Sequence, residues 1–145
     1  MRDAGIASRL GVQGGNRMSA VLVIDDSLTL LQKVKEHLGA EHYDVHTATN
    51  YVDARMNLQK VDLVIIDFHM PGQDGASMLA SLRRATEGMV NAPLLYLHTT
   101  DSEKAAGYKQ MGFDGVIGMK GNFELLSKQV SAAMRLRRLS VKLKL

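Results

Sequence analysis

Asp62-Leu63-Val64-Ile65-Ile66-Asp67-Phe68-His69-Met70-Pro71-Gly72-Gln73-Asp74-Gly75 is the stretch whose reading decides the fold. Its first half is a run of aliphatic residues with no polar alternation, which reads as a strand buried on both faces, as in the middle of a parallel sheet. The run stops at Asp67. A Pro-Gly loop follows, and Ala76 to Arg84 then resumes at helical spacing with Leu79 and Leu82 on one side.

The same pattern recurs on both sides. Ala20 to Ile24 is a second doubly apolar run and ends at Asp25-Asp26. Ser27 then caps a helix whose Leu31, Val34 and Leu38 share a face and whose stop signal is Gly39. Tyr43 to Thr47 alternates polar and apolar residues, which predicts an edge strand, and a helix follows near Val52 to Leu58. Downstream, Pro93 opens a strand through Leu97, Ser102 to Met111 reads as one helix, and Gly115 to Met119 as a fifth strand. A last helix begins near Asn122, with Leu126, Val130 and Ala133 at core spacing. Alternation of strand and helix over this length predicts an α/β fold with a doubly wound, mostly parallel sheet.

The chain has 145 residues, 46% hydrophobic and 23% charged, with no Cys and two Pro, which suits one globular domain. A domain of this size needs no disulfide or structural metal to hold its core. The absence of Cys excludes thiolate zinc sites, cysteine nucleophiles and redox dithiols. No apolar run approaches the roughly 18 residues of a membrane span, and none near Met1 resembles a signal segment, so the expected location is cytoplasmic. The net charge of +3 is unevenly placed. Residues 1–17 and 125–145 hold nine bases against one acid, and residues 18–124 hold nine bases against fourteen acids. The ends carry +8 and the body −5.

In a parallel sheet, ligands meet the C-terminal ends of the strands. Those ends deliver Asp25 and Asp26, Asp67, His98 with Thr99 and Thr100, and Lys120. A single aspartate there is often only the cap of the next helix, but three acids and a lysine at one edge are a more specific set. Three converging carboxylates repel unless a cation sits among them, and Mg²⁺, which favours one or two carboxylates plus waters and a phosphate, fits better than Ca²⁺. Asp67 is then either a permanent ligand or a nucleophile toward phosphorus, and Lys120 a charge for phosphoryl oxygens.

VLVIDDS at 21–27, DLVIIDFHMPGQDG at 62–75, PLLYLHTT at 93–100 and GFDGVIGMKG at 112–121 together resemble the receiver domain of two-component response regulators, of the chemotaxis-regulator kind. The resemblance spans residues 18 to about 136. It implies a three-layer, flavodoxin-like (βα)₅ fold with strand order 2-1-3-4-5. It implies a switch, rather than a turnover enzyme, that accepts a phosphoryl group on Asp67 from a histidine kinase or phosphotransfer protein. Asp26, Asp67 and the backbone carbonyl of His69 would hold Mg²⁺, with Asp25 assisting through water, and Lys120 would pair with the carboxylate and then with the phosphoryl group.

Three positions depart from the family pattern. Counting from Pro93 puts His98 where the family has a phosphoryl-contacting hydroxyl, with Thr99 directly after it; either residue is a candidate. The family's switching aromatic falls on Val116 or Ile117, because one extra residue lies between Gly112 and Lys120. Gly121 replaces the proline after the lysine. A second reading is therefore a degenerate receiver-like module that binds partners without phospho-switching. An aspartate-nucleophile phosphohydrolase would need an acid where His69 stands, and an FMN phosphate would meet Asp25-Asp26.

The domains expected are a flexible extension at 1–17, a receiver at 18–136, and a basic helical tail at 137–145 that either links to an output domain or frays. Leu125, Ala132 and Leu139, like Gln129, Leu136 and Leu143, recur every seven residues, a short seam for a homodimer through the last helix. The partners expected are the kinase or phosphotransfer protein and a downstream protein or output domain, with no membrane. The tail lacks aromatic interleaving, so direct nucleic-acid binding is not expected.

Overall fold

The structure, a computed structural model, describes residues 18–143; the expected extension at 1–17 and the final residues 144–145 lie outside it. Five strands, β1 (Ala20–Ile24), β2 (Asp44–Ala48), β3 (Leu63–Asp67), β4 (Leu94–His98) and β5 (Gly115–Ile117), form one parallel sheet. Their order is β2-β1-β3-β4-β5. The helices are α1 (Leu28–Ala40), α2 (Tyr51–Arg55), α3 (Gly75–Thr86), α4 (Ser102–Ala106), α5 (Tyr108–Met111) and α6 (Phe123–Leu143). This is the flavodoxin-like receiver architecture expected from the motifs.

The doubly apolar strands explain the three layers. Successive side chains of a strand point to opposite faces. Val21, Val23, Leu63 and Ile65 pack with Leu31, Val34 and Leu38 of α1 and Leu126, Val130 and Ala133 of α6. Leu22, Ile24, Val64 and Ile66 pack on the other side with Ala54 of α2 and Met78, Leu79 and Leu82 of α3. β2 buries only Val45 and Ala48 and lies at the sheet edge, as its polar alternation predicts.

Several boundaries differ from the sequence expectation. The predicted helix Ser102–Met111 is two short helices, because Gly107 leaves helical geometry at φ −94° and ψ 14°. α2 stops at Arg55, and a single 3₁₀ turn at Leu58–Lys60 replaces its last turn. α1 runs through Gly39 to Ala40. β4 extends to include His98, while β5 ends at Ile117. The extra residue before Lys120 is absorbed in the turn after β5: Met119 adopts a left-handed φ of 52° and its carbonyl accepts from the Asn122 N–H at 2.9 Å. α6 passes positions 136 and 137 without a break, and Arg137 is buried with Nη2 donating to the Asn91 carbonyl at 2.6 Å.

Gly75 shapes the loop behind the third strand. Its N–H donates to the Phe68 carbonyl at 2.8 Å, and a Cβ there would lie 2.9 Å from Phe68 Cα and 2.6 Å from Phe68 Cδ1. Backbone this close cannot yield as a flexible side chain would. Gly75→Ala should therefore destabilise the domain by about 1–3 kcal/mol. Gly39→Ala, which meets nothing within 4 Å in the last turn of α1, should instead stabilise it by about 0.5–1 kcal/mol. Urea unfolding of the two variants measures both signs.

Candidate functional site

The C-terminal ends of β1 and β3, adjacent in the sheet, bring Asp25 and Asp67 together. Asp25 is held from both sides: its N–H donates to the Ala48 carbonyl at 3.1 Å, and its Oδ1 accepts from the Ser27 N–H at 2.9 Å as the chain turns into α1. Ser27 in turn caps that helix by accepting from the Leu30 N–H. Asp25 is 1% exposed and Asp67 5%, whereas Asp26 faces solvent.

Lys120 joins the two buried acids. Its Nζ donates to Asp67 Oδ1 at 2.8 Å and lies 2.7 Å from Asp25 Oδ2. The second contact falls outside hydrogen-bonding angles, so Asp25 Oδ2 is buried beside a charge but without a directed donor. The His69 N–H also reaches Asp67 Oδ1, at a long 3.4 Å. Burial raises the pKa of Asp67, and the neighbouring Asp25 carboxylate adds to that, while Lys120 and the His69 N–H oppose it. Burial alone would lower the pKa of Lys120, but the two carboxylates outweigh it and raise the value, so the ammonium persists at neutral pH.

Asp25, Asp26 and Asp67 each present one oxygen, and these lie within 4.8 Å of one another. An all-oxygen anionic set with one buried oxygen lacking a directed donor suits a hard divalent cation, and the exposed Asp26 side leaves room for water and phosphate ligands. The residues therefore fit Mg²⁺. The backbone of His69 borders the same carboxylate through its N–H.

His98 and Thr99 separate cleanly. His98 is the register partner of Asp67 on one side and of Ile117 on the other, and it is 3% exposed. Register partners on neighbouring strands project to the same face, so His98 stands on the side of Asp67. The Thr99 hydroxyl is engaged elsewhere, accepting from the Asp101 N–H at 3.0 Å in the turn that opens α4. Val116 is half-buried and Ile117 fully buried in the core beneath α1 and α6.

One pair escaped the sequence reading. Lys104 of α4 places Nζ 4.4 Å from the centre of the Phe68 ring, directly after Asp67, and the His69 ring meets the same ring edge-on at 5.1 Å. No periodicity marks a contact between a strand-end aromatic and a lysine 36 positions later; only the topology brings the loops after β3 and β4 side by side.

A sequence model of the response regulator receiver domain matches residues 21–131. The chain belongs to that family. It is 31% identical over 124 residues to the sensory transduction protein BceR of Halalkalibacterium halodurans, covering 81% of this chain and 51% of BceR. It is likewise 31% identical to the transcriptional regulatory protein AruR of Pseudomonas aeruginosa, of which it covers 50%. The chain thus spans about half the length of these relatives. The chemotaxis response regulator CheY4 of Vibrio cholerae superposes with a TM-score of 0.68 at 28% identity, over 81% of this chain and 99% of that structure. Receiver domains are signalling switches, and among the described residues no helix is long and apolar enough to cross a membrane.

In this receiver, burial and then the charge of Lys120 lower the His98 pKa to about 4. The unfolded chain takes up the proton near pH 6.5, so the contribution of His98 to stability is complete above that pH. It is lost as pH falls toward 4, by on the order of 3 kcal/mol. Urea unfolding in Mg²⁺-free buffer at several pH values should show this slope in the native protein and a flatter one in His98→Asn. The His98 ring resonances should titrate near pH 4.

Proposed function

We propose that this receiver accepts a phosphoryl group on Asp67 from a phosphohistidine of a sensor kinase or phosphotransfer protein. The observation that carries this reading is the shared ammonium: Lys120 sits 2.8 Å from Asp67 and 2.7 Å from Asp25, beside three carboxylate oxygens within 4.8 Å of one another. Asp67 Oδ2, the oxygen Lys120 leaves free, attacks phosphorus; the P–N bond of the donor breaks, and the departing imidazole nitrogen takes a proton from solvent. The product is an acyl phosphate. Asp25, Asp26, Asp67 and the His69 carbonyl would hold Mg²⁺, which when bound supplies charge for the phosphoryl oxygens. Lys120 moves from the carboxylate to a phosphoryl oxygen, keeping a charge-assisted hydrogen bond throughout.

His98, not Thr99, takes the place of the family's hydroxyl. A neutral imidazole still offers one N–H, so a donor to the phosphoryl group is retained although the residue type has changed. Because neither Val116 nor Ile117 is aromatic, the signal reaches α4 through Phe68 and Lys104 rather than through a swinging ring. The new charge at Asp67 draws Lys104 off the Phe68 face and shifts the helix that carries it. The altered face then engages a downstream protein or an output domain, and exposed Leu136 and Leu139 on α6 offer the seam for a second copy.

Acetyl phosphate with Mg²⁺ should add about 80 Da to the intact mass, the increment of one phosphoryl group. Asp67→Ala should abolish the adduct, and an adduct that survives this substitution sinks the proposal. Lys104→Ala should leave the adduct intact but blunt the change in amide hydrogen exchange across residues 102–111 that phosphorylation produces in the native protein. The departures at His98 and Val116 favour the degenerate module as a second reading. It requires that the adduct, once formed, changes neither this exchange nor partner affinity.

A further inference from the structure

Between α2 and α3, on the sheet face away from α1 and α6, lies a groove of about 580 Å³ lined by Leu58, Met56, Met89, Gln59, Arg55 and Arg84 among others. Arg55 comes from α2 and Arg84 from α3, both exposed, and no carboxylate is among the lining residues. This reverses the local charge, because residues 18–124 carry −5 overall. Among the described residues, the Arg84 guanidinium holds a single long contact, 3.4 Å to Ser81 Oγ within its own helix. The short α2 also leaves Val52 at 69% and Met56 at 73% exposed, one helical turn apart on the same side. Large apolar side chains left outward beside two guanidinium groups are the elements of a recognition surface rather than of a solvated face.

We propose that the α2–α3 groove docks an acidic segment of a partner protein, its carboxylates paired with Arg55 and Arg84 and an apolar side chain seated against Met56, Met89 and Leu58. Charge complementarity selects the partner's sign, since guanidinium groups match carboxylates in a two-pronged geometry. The methionines suit an apolar anchor of variable shape. A concave groove of this size accommodates a few side chains, whereas a flat anionic bilayer could not follow it and would meet two arginines on a body of −5. This surface is separate from the carboxylate pocket, and the proposal does not depend on phosphorylation of Asp67.

The probe is a short fluorescein-labelled peptide alternating Glu with Leu and Phe, titrated into the full chain and followed by anisotropy and by amide NMR shifts. Shifts confined to α2, the 3₁₀ turn and α3 are expected. Binding should weaken at least about tenfold in the double variant Arg55→Glu, Arg84→Glu and should fall with added salt. The substituted residues are exposed, and far-UV circular dichroism with the urea midpoint verifies that the variant folds. The proposal is overturned by absent binding, by shifts elsewhere, by unchanged affinity in the double variant, or by equal binding of a peptide with Lys for Glu. Co-sedimentation with phosphatidylglycerol vesicles that the double variant loses, without peptide binding, would assign the groove to lipid and also overturn it.

Discussion

Lys120 has to span the end of β4 to do what it does. It follows β5, and the carboxylates it contacts end β1 and β3, so its side chain crosses the strand that lies between them in the sheet order β1-β3-β4-β5. Two features make this crossing feasible. The left-handed turn at Met119 takes up the extra residue after β5, and the last residue of β4 is a side chain that can be buried neutral beside an ammonium. A cation in the place of His98 would repel Lys120. With a further carboxylate there, the pocket would hold one more buried anion for the same single lysine. The identity of the β4 terminus is thus tied to the Lys120 contact.

The energetics of that contact are two-sided. Burying Asp25 and Asp67 next to each other is costly, and a buried ion pair with lysine repays it only in part. The raised pKa of Asp67 records the deficit. A pocket that is under-neutralised when empty of cation gains most from a divalent ion and from exchange of one lysine contact for another on a phosphoryl oxygen. On the proposed phosphorylation of Asp67, this is how a structurally expensive cluster would respond, its best-satisfied state being reached only with ligands in place.

Much of this architecture was legible in the residues. The doubly apolar runs at 20–24 and 63–67 name the central strands, because only a strand covered on both faces lacks alternation, and their terminal aspartates place the pocket. The polar β2 declares itself an edge in the same way. What stayed hidden depends on distances across elements. Asp25, rather than the solvent-facing Asp26, is the acid that Lys120 shares with Asp67, and strand order alone cannot distinguish two neighbouring aspartates at a strand end. Which of His98 and Thr99 stands on the side of Asp67 depends on where β4 stops and on the Asp101 N–H that engages the Thr99 hydroxyl. Gly107 interrupts the helix predicted at 102–111 because five residues of α4 gain too little from packing to carry a glycine, and none of them is buried.

The charge of the whole chain misleads for a geometric reason. α6 starts beside the pocket edge at Phe123 and runs 21 residues, about 30 Å at 1.5 Å per residue. By Arg137, about 21 Å along at that rise, it has reached the opposite end of the sheet, where Nη2 donates to the Asn91 carbonyl ahead of β4, and it runs on to Leu143. Arg135, Arg137 and Arg138 thus lie roughly 18–23 Å along the helix from its start, more than two Debye lengths of about 8 Å each at physiological salt, toward the far end of the sheet from the carboxylates. They cannot neutralise that site, so Lys120 and whatever cation the three aspartates recruit must do so locally. A net charge of +3 and an anionic pocket are compatible because the basic excess belongs to residues 1–17 and 125–145, and the arginines of α6 lie away from the strand ends.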